Sequence, residues 1–265
     1  MTDNLYSNSE YNSEPDLVLD AKIQLLAGKL SVANRIVFLT GAGVSTDSGI
    51  PDFRSSTGIY QMTSEDLFRI DRFLANTEWF YSIFGNFYAG IADAKPNTGH
   101  LAIAELEKRC GKLIDVVTQN IDALHSAAGS TSVAEVHGTL RTASCLKCAK
   151  QYSQDYFEPD MRSGRVPRCS CGGALKPDVT FFGEMLPEHA FVQARSAMKE
   201  AELLVVVGTS LQVTPAALLP RECPADTPFV IINKTPTYLD SEAALVFYES
   251  IGDVLPQAVS LVKSA

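Results

Sequence analysis

Short runs of apolar, mostly β-branched residues recur along the chain and predict six buried strands. They lie at 36–40, 113–118, 133–137, 203–207, 229–233 and 244–248. Most of these runs are apolar at consecutive positions, which is typical of parallel strands that helices cover on both faces. In a sheet with one face exposed to solvent, each strand would instead show apolar residues at every second position.

Amphipathic stretches separate several of the strands and predict helices. Residues 98–109 repeat apolar side chains at helical spacing, as do residues 186–202 and 251–263. Strands that alternate with helices indicate an α/β protein with a Rossmann-like, doubly wound parallel sheet.

Two segments interrupt the alternation and predict a smaller module beside the sheet. Residues 55–93 are helical in pattern and rich in aromatic side chains, and residues 141–176 are polar and contain clustered cysteines. We therefore expect residues 17–54, 94–140 and 177–265 to form the Rossmann-like domain. The two interrupting segments would form a small domain of helices and a zinc ribbon, and residues 1–16 a flexible tail.

Composition and charge narrow the function classes. The chain has 265 residues, 46% of them hydrophobic, and 22 basic against 31 acidic residues leave a net charge of −9. This charge disfavours tight non-specific binding to nucleic acid, but it suits a basic peptide. No apolar run has the length of a membrane span, and the first residues lack the pattern of a secretory signal. We expect a cytoplasmic monomer that binds neither membranes nor nucleic acid directly.

Four of the six cysteines have the spacing of metal ligands. Cys145 and Cys148 form a C-x2-C pair, and Cys169 and Cys171 form a tighter C-x-C pair. Two close thiolate pairs suit tetrahedral zinc, and a site with four cysteines leaves no position open for water. The metal is therefore predicted to be structural. Cysteines used in this way favour a reducing compartment.

The stretch at 41–54, GAGVSTDSGIPDFR, follows the first predicted strand. Gly41 and Gly43 allow the backbone to approach a phosphate closely, because glycine has no Cβ. Asp52, Phe53 and Arg54 then add an acid, an aromatic face and a cation. A plain phosphate-binding loop does not need these three side chains, so they indicate a site that reacts with the molecule it holds.

Polar residues also follow three other predicted strands. They are TQNID at 118–122, Gly208 to Ser210, and Asn233. Caps of short helices and simple turns explain each of them separately, whereas together they outline a crevice along the carboxyl edge of the sheet. His137 ends another predicted strand at the mouth of the zinc module, where a general acid or base is favoured. For His100, His125 and His189 a structural role is the simpler interpretation.

Taken in order, these motifs closely resemble those of the sirtuins, the NAD-dependent protein lysine deacylases, and they suggest a bacterial-type member. The resemblance covers about residues 17–262 and includes the glycine stretch, TQNID, His137-Gly138, the cysteine pairs, Phe182-Gly183-Glu184, Gly208 to Ser210 and Asn233. It implies that NAD+ is consumed as a co-substrate. The spacing of Gly41, Gly43 and Gly49 also differs from the G-x-G-x-x-G fingerprint of hydride-transfer enzymes.

The resemblance assigns a role to each matched residue. His137 and Asn120 are the implied catalytic residues, with His137 as general base. The implied NAD-binding residues are Gly41, Ala42, Gly43, Thr46, Asp52, Phe53, Arg54, Gln119, Asn120, Ile121, Asp122, His137, Gly208, Thr209, Ser210, Asn233 and Asp253. Ile121 and Asp122 would form the nicotinamide pocket. The peptide would add as a strand between Phe182, Gly183, Glu184 and Leu211, Gln212, Val213.

The implied reaction removes an acyl group from a protein lysine and yields nicotinamide, O-acyl-ADP-ribose and free lysine. Family members that remove succinyl groups carry Tyr-x-x-Arg in the helical insertion, where this chain has Tyr81 and Phe84. An apolar Phe84 cannot pair with a carboxylate, so we expect acetyl or longer apolar acyl substrates. The chain also has Lys176 before Pro177, where relatives often have arginine.

Two other functions remain open at this point. Transfer of ADP-ribose to a protein would use the same cofactor and pocket with a different acceptor. A zinc-ribbon adaptor without catalysis is the second alternative, but the combination of Asn120, Asp122 and His137 disfavours it.

Overall fold

The computed structural model describes residues 18–56, 58–62 and 65–263. Within these ranges, nine strands form two sheets: β1 (Arg35–Thr40), β2 (Leu113–Thr118), β3 (Ser132–Glu135), β4 (Gly138–Cys145), β5 (Gln151–Ser153), β6 (Leu175–Val179), β7 (Leu203–Val207), β8 (Phe229–Ile232) and β9 (Leu245–Phe247). The α-helices are α1 (Leu19–Val32), α2 (Ile59–Met62), α3 (Ile70–Ala75), α4 (Thr77–Asp93), α5 (Thr98–Cys110), α6 (Leu124–Ala128), α7 (Gln154–Arg162), α8 (Glu188–Lys199) and α9 (Ile251–Leu261).

The larger sheet has six strands in the order β3-β2-β1-β7-β8-β9, and every neighbouring pair is parallel. The strand order therefore reverses direction at β1, with β2 on one side and β7 on the other. In doubly wound sheets, ligands bind in the crevice at the carboxyl ends of the strands next to such a reversal. The predicted α/β fold with a Rossmann-like sheet is confirmed.

The consecutive apolar residues of the strands are explained by cores on both faces of this sheet. Ile36 and Phe38 of β1 pack in one core with α1, α5 and α9. Val37 and Leu39 of the same strand pack in the other core, with α8 and the segment after β7. Successive side chains of a strand point to opposite faces, so a sheet buried on both faces needs apolar residues throughout.

The smaller sheet is antiparallel, with the order β5-β4-β6. Its apolar face shares one core with the aromatic side chains of the helical insertion. In that core the Tyr81 hydroxyl donates to Leu175 O of β6 (2.7 Å), and Phe157 and Met161 of α7 pack with the same aromatic side chains. The two interrupting segments thus pack together, as the sequence suggests. The exact domain boundaries stay a prediction, and the predicted tail at 1–16 lies outside the described residues.

Three predicted elements differ from the observed ones by two residues or more at an end. Strand β3 stops at Glu135 rather than at His137, because the chain turns there to begin β4. Helix α8 covers 188–199 rather than 186–202, and Pro187 is its N-cap. Helix α9 ends at Leu261 rather than at residue 263. None of the helices in the described ranges is long and apolar enough to span a bilayer.

Candidate active site

The loops after the central strands are joined to one another by backbone hydrogen bonds. The Gly41 N–H donates to Val207 O (3.0 Å), and the Gly43 N–H donates to Gly208 O (2.8 Å). On the other side of β1, the Gln119 N–H donates to Thr40 O (2.9 Å). The glycine loop, the TQNID segment and the Gly208 turn therefore form a single crevice edge, as the polar strand ends predict.

Gly43 and Gly208 permit the close approach of two of these loops. A Cβ on Gly43 would lie 2.8 Å from the Cα of Gly208, and Gly208 itself has a φ of +59°. Side chains at either position would force the loops apart or strain the backbone. A side-chain hydrogen bond also joins the loop after β2 to the loop after β7, because Gln119 Nε2 donates to Thr209 Oγ1 (3.0 Å).

Ser45 connects two of the predicted site residues. Its hydroxyl donates to Asp122 Oδ2 (2.7 Å), and it accepts a hydrogen bond from Asn120 Nδ2 (3.1 Å). The other carboxylate oxygen of Asp122 accepts from the Leu124 N–H at 2.9 Å, at the start of α6. Asp122 therefore binds the start of α6 and also forms a polar cluster with Ser45 and Asn120.

Two buried histidines lie behind this cluster, with ring centroids 4.7 Å apart. His100 Nδ1 accepts from the Asn97 N–H (3.3 Å), so its proton is on Nε2, which faces Ser45 Oγ at 3.5 Å. Burial lowers the pKa of His100, although the Asp122 carboxylate opposes this shift. Burial, together with the neighbouring His100, lowers the pKa of His125 to about 3. Both rings are therefore neutral at pH 7.

His125 also has a defined tautomer. Thr40 Oγ1 donates its proton to Thr118 Oγ1 (2.8 Å), so it accepts from His125 Nε2, which lies 2.9 Å away. Nδ1 of His125 is buried without a hydrogen-bond partner in the described part of the chain. The structural role predicted for His125 fits its link between the ends of β1 and β2, and its position places it next to the site.

His137 lies at the turn between β3 and β4. Its Nδ1 is 3.0 Å from the carbonyl oxygen of Gln119, which can only accept, so Nδ1 carries the proton. Nε2 therefore carries a lone pair. Burial lowers the pKa of His137, and the hydrogen bond to Gln119 partly offsets this effect. The side chain thus has the protonation state of a base at neutral pH.

A pocket lies between the polar cluster and the helical insertion. Its polar wall contains Ser45, Asn120 and Asp122. The remaining lining is apolar and consists of Ala42, Ile50, Pro51, Phe53, Ile59, Phe68, Phe84, Phe87, Ile91 and Ile121. The structure thus brings Ala42, Phe53, Asn120, Ile121 and Asp122 together around one cavity.

The end of the glycine stretch is held by its own side chains. Asp52 Oδ1 accepts from the N–H groups of Arg54 (3.0 Å) and Ser55 (2.7 Å). The ring of Phe53 packs against Phe68 with centroids 5.8 Å apart. Arg54 is exposed and lies 5.6 Å above the ring of Tyr60. The carboxylate of Asp52 therefore shapes this loop.

Thr46, Asn233 and Asp253, which are also predicted site residues, form no hydrogen bond with the polar cluster among the described residues. Thr46 Oγ1 donates to Gly43 O (3.0 Å), which keeps it in the glycine loop. Asn233 follows β8, but its amide donates to Thr235 O (2.6 Å). Asp253 is exposed in the first turn of α9. Among the hydrogen bonds of the described residues, none joins Asp253 to the other predicted site residues.

The four predicted metal ligands converge at one point. The Sγ atoms of Cys145, Cys148, Cys169 and Cys171 all lie within 4.8 Å of one another, and three of the pairs are 3.5–3.6 Å apart. Tetrahedral zinc with Zn–S bonds of about 2.3 Å requires S–S separations of about 3.8 Å. The residues therefore fit one structural zinc ion. The other two cysteines lie elsewhere, with Cys110 buried and Cys223 partly buried.

The sequence motifs do not single out Ser45, Asn97 or His100 as site residues. Asn97 caps α5 and donates to Val44 O (2.8 Å), which ties this helix to the glycine loop. The spacing Asn97-x-x-His100 at the start of a predicted helix is a capping-box signal. It identifies the helix start, but nothing in the sequence places that start against the glycine loop.

The large sheet is parallel and doubly wound, and the crevice lies where its strand order reverses. A smaller module with four clustered cysteines is attached to it. Together these features define a Rossmann-like protein with a zinc-binding insertion. Comparison with known proteins makes this more specific. The model of the Sir2 family matches residues 41–215. The chain belongs to the Sir2 family, and the predicted resemblance to sirtuins is confirmed.

Relatives of known description match along nearly the whole chain. An NAD-dependent protein deacetylase of Thermodesulfovibrio yellowstonii is 42% identical over 234 residues, which cover 86% of this chain and 90% of that protein. A structure solved in work on the mechanism and regulation of Sir2 enzymes superposes with a TM-score of 0.85 at 37% identity, covering 92% of this chain and 98% of the other. Sir2Tm bound to a propionylated peptide gives a TM-score of 0.81 at 35% identity, with coverages of 90% and 98%.

Proposed function

We propose that this chain is an NAD-dependent protein lysine deacetylase that releases nicotinamide, O-acyl-ADP-ribose and free lysine. The observation that carries the proposal is the anchoring of the His137 imidazole to Gln119 O (3.0 Å), in the same segment whose Asn120 and Asp122 bind Ser45. The relative from Thermodesulfovibrio yellowstonii supports it, since that protein is described as an NAD-dependent deacetylase.

NAD+ fits the crevice at the carboxyl edge of the large sheet. Ala42 and Thr46 would face its phosphates and nicotinamide ribose, at the start of short helical turns. Gly41 and Gly43 would permit the close approach, since their N–H groups already donate to Val207 O and Gly208 O. Gln119 and Asn120 would hold ribose hydroxyls, with Arg54 near the diphosphate. We assign the adenosine half to the residues after β7 and β8 and at the start of α9, namely Gly208, Thr209, Ser210, Asn233 and Asp253.

The polar wall of this cavity suits the nicotinamide carboxamide. Asp122 would accept from the amide, Ile121 would pack on the ring, and Ser45 holds Asp122 in place (2.7 Å). Phe53 lines the same cavity and would shield the reacting ribose carbon from water. NAD+ supplies the glycosidic bond that is cleaved, and the ribose hydroxyl that receives the acyl group.

His137 acts as the general base for the ribose hydroxyls. Its Nδ1–H is used by Gln119 O, so Nε2 is the atom that accepts the proton. Because burial lowers its pKa, the imidazole is already neutral at pH 7. A positioned base of this kind contributes about 10²–10⁴-fold in rate.

The acyl peptide would add as a strand at the loop 182–184, opposite the segment 211–213. One edge of this loop is already occupied, because the Phe182 N–H donates to Phe68 O (2.7 Å) and the Ile70 N–H donates to Phe182 O (3.1 Å). The substrate would therefore pair with the backbone of Gly183, which takes part in no backbone hydrogen bond in the described part of the chain. Leu211, the first residue of the opposite segment, has a φ of +54°.

The apolar lining of the cavity supports acetyl and longer apolar acyl groups as substrates. Phe84 is buried and contributes to this lining, whereas the Tyr81 hydroxyl is buried and donates to Leu175 O (2.7 Å). Arg69 pairs with Asp71 and Arg72 with Asp66, and neither arginine lines the cavity. Among the described residues that line the cavity, none is a cation that would pair with a succinyl carboxylate.

A panel of peptides tests the proposal. Acetyl-, propionyl-, octanoyl- and succinyl-lysine versions of one peptide are incubated with NAD+, and both products are identified by mass. We expect deacylation of the apolar series together with O-acyl-ADP-ribose, and little reaction of the succinyl peptide. ADP-ribosylated protein without O-acyl-ADP-ribose would contradict the proposal, and a succinyl preference would contradict the assigned acyl class.

The partners, the cellular compartment and the oligomeric state of the protein also belong to the proposal. The net charge of −9 supports a protein without direct nucleic-acid partners. Four thiols converging on one metal position support a reducing compartment such as the cytoplasm. The monomeric state is likewise proposed.

A further inference from the structure

Lys176 lies in β6, outside the residues assigned to NAD+, zinc or peptide. Its side chain is only 12% exposed. The Nζ ammonium donates to Val179 O (2.8 Å) and to Pro177 O (3.1 Å). It also forms an ion pair with Glu184 Oε2 (2.8 Å) and lies 4.4 Å from the centroid of the Phe181 ring. The ammonium thus joins the end of β6 to the loop that follows it.

The carboxylate of Glu184 closes that loop from the other end. Glu184 Oε2 accepts from the Phe181 N–H (2.8 Å), and the Glu184 N–H donates to Phe181 O (3.0 Å). One backbone and one side-chain hydrogen bond therefore hold the turn 181–184, and Lys176 fixes the carboxylate that makes the second one. Hydrogen bonds with charged partners are stronger than those between neutral groups.

The turn presents Gly183 with a φ of +96°, a conformation that favours glycine. A Cβ there would lie 3.1 Å from the side chain of Ile70, so Gly183 is closely backed by the helical insertion. Just before the turn, the Thr180 N–H donates to His137 O (2.9 Å). The turn therefore lies between the proposed base and the helical insertion, at the loop assigned to the peptide.

We propose that Lys176 is a positioning residue for the substrate strand. It does not touch the substrate; it fixes Glu184 and thereby the backbone groups of Gly183 with which the peptide pairs. This inference rests on the proposed deacetylase function. An arginine at this position would keep the charge and several donors, whereas a neutral apolar side chain would leave Glu184 without its partner.

The test compares Lys176→Met and Lys176→Arg with the unmodified protein in steady-state deacetylation of an acetyl-lysine peptide. For Lys176→Met we expect the peptide KM to rise about five- to tenfold, which is about 1–1.4 kcal/mol at 1.4 kcal/mol per factor of ten. kcat and the KM for NAD+ stay within about twofold, since loss of uniform binding changes KM alone. Lys176→Arg restores most of the peptide affinity.

Arg162→Met is the matched control, because it removes ion pairs with Asp93 and Glu158 from the same module without touching the turn. It should leave the peptide KM unchanged. Thermal unfolding verifies that each variant is folded, and Lys176→Gln replaces Lys176→Met if the methionine variant is not. Binding of a fluorescent acetyl-peptide, measured by anisotropy, should weaken in parallel with KM.

The proposal is overturned if the folded Lys176 variants keep the normal peptide KM, or if they lose kcat without a change in KM. An equal effect of Arg162→Met would overturn it as well, since the cause would then be general loosening of the module. Failure of the unmodified protein to deacylate any peptide is a different result, and it contradicts the proposed function itself.

Discussion

The imidazole of His137 is anchored by the backbone of Gln119, whose carbonyl oxygen accepts the Nδ1 proton across 3.0 Å. Gln119 is itself bound to the sheet, because its N–H donates to Thr40 O (2.9 Å). The base is therefore held by the carboxyl ends of two central strands rather than by a free loop. This arrangement fixes both the tautomer and the direction of the reactive lone pair.

Replacement of His137 should remove catalysis without unfolding the protein. We expect His137→Ala to lower kcat about 10²–10⁴-fold, because the base is lost. Its circular dichroism spectrum and its zinc content should match those of the unmodified protein. His189→Ala is the matched control, since His189 is an exposed residue of α8. Normal turnover by His137→Ala would show that another group is the base.

The pH dependence of activity follows from the lowered pKa of His137. Burial places this pKa below the ordinary value of about 6.5, so the base form persists below neutrality. Protonation of the free enzyme should then reduce kcat/KM only on the acid side of pH 6.5. Rates measured between pH 5 and 8 at constant ionic strength test this. An acid limb with its midpoint above pH 7 would contradict the burial argument.

Ser45 should be required for the geometry of the nicotinamide pocket. Ser45→Ala removes the hydroxyl that binds both Asp122 (2.7 Å) and Asn120 (3.1 Å), leaving buried Asn120 and half-buried Asp122 each short of a partner. Such a loss costs about 1–3 kcal/mol, so we expect kcat/KM for NAD+ to fall about 5- to 150-fold. Ser31→Ala on α1 removes a hydroxyl far from the crevice and should change nothing. Equal kinetics for both variants would exclude this role.

Buried His125 should make the fold sensitive to acid. Its pKa is about 3 in the folded protein, because of burial and the neighbouring His100, and about 6.5 when unfolded. Between these values the unfolded chain binds the extra proton, so the free energy of unfolding decreases as pH falls. The full contribution is present above pH 6.5, and the slope is about 1.4 kcal/mol per pH unit.

Urea unfolding from pH 7 to pH 4 measures this slope. His125→Gln should show a shallower loss of stability than the unmodified protein, whatever its stability at pH 7. His189→Gln, at an exposed position of α8, is the matched control. A slope that is unchanged in His125→Gln would refute the assignment.

Zinc should stabilise the small module without taking part in the reaction. Binding to four thiolates contributes about 10 kcal/mol or more to folding. We expect one zinc per chain by elemental analysis, and loss of both zinc and thermal stability in Cys148→Ser. Cys223→Ser should retain the metal, since Cys223 lies outside the cluster. Full stability of metal-free Cys148→Ser would contradict a structural role.

Much of the fold was predictable because its signals are local. The runs that became β1, β2 and β7 agree with the observed strands to within one residue, since a sheet buried on both faces requires unbroken apolar segments. The cysteine spacing likewise predicted the ligand set, because a C-x2-C turn already brings two thiolates together. The ends of β3 and α8 were less predictable, since tertiary turns decide where they stop.

The sequence by itself determined the parallel sheet and the zinc ligands, since each depends on spacing along the chain. The roles of His137, Asn120 and Asp122 follow from the family motifs and stay predictions. Only the tertiary structure decided that Ser45 joins Asp122 to Asn120, that two neutral histidines lie behind them, and that Lys176 binds the turn at Glu184. These contacts join residues from separate segments of the chain. Their partners are chosen by the packing of the strands and loops, which no local pattern records.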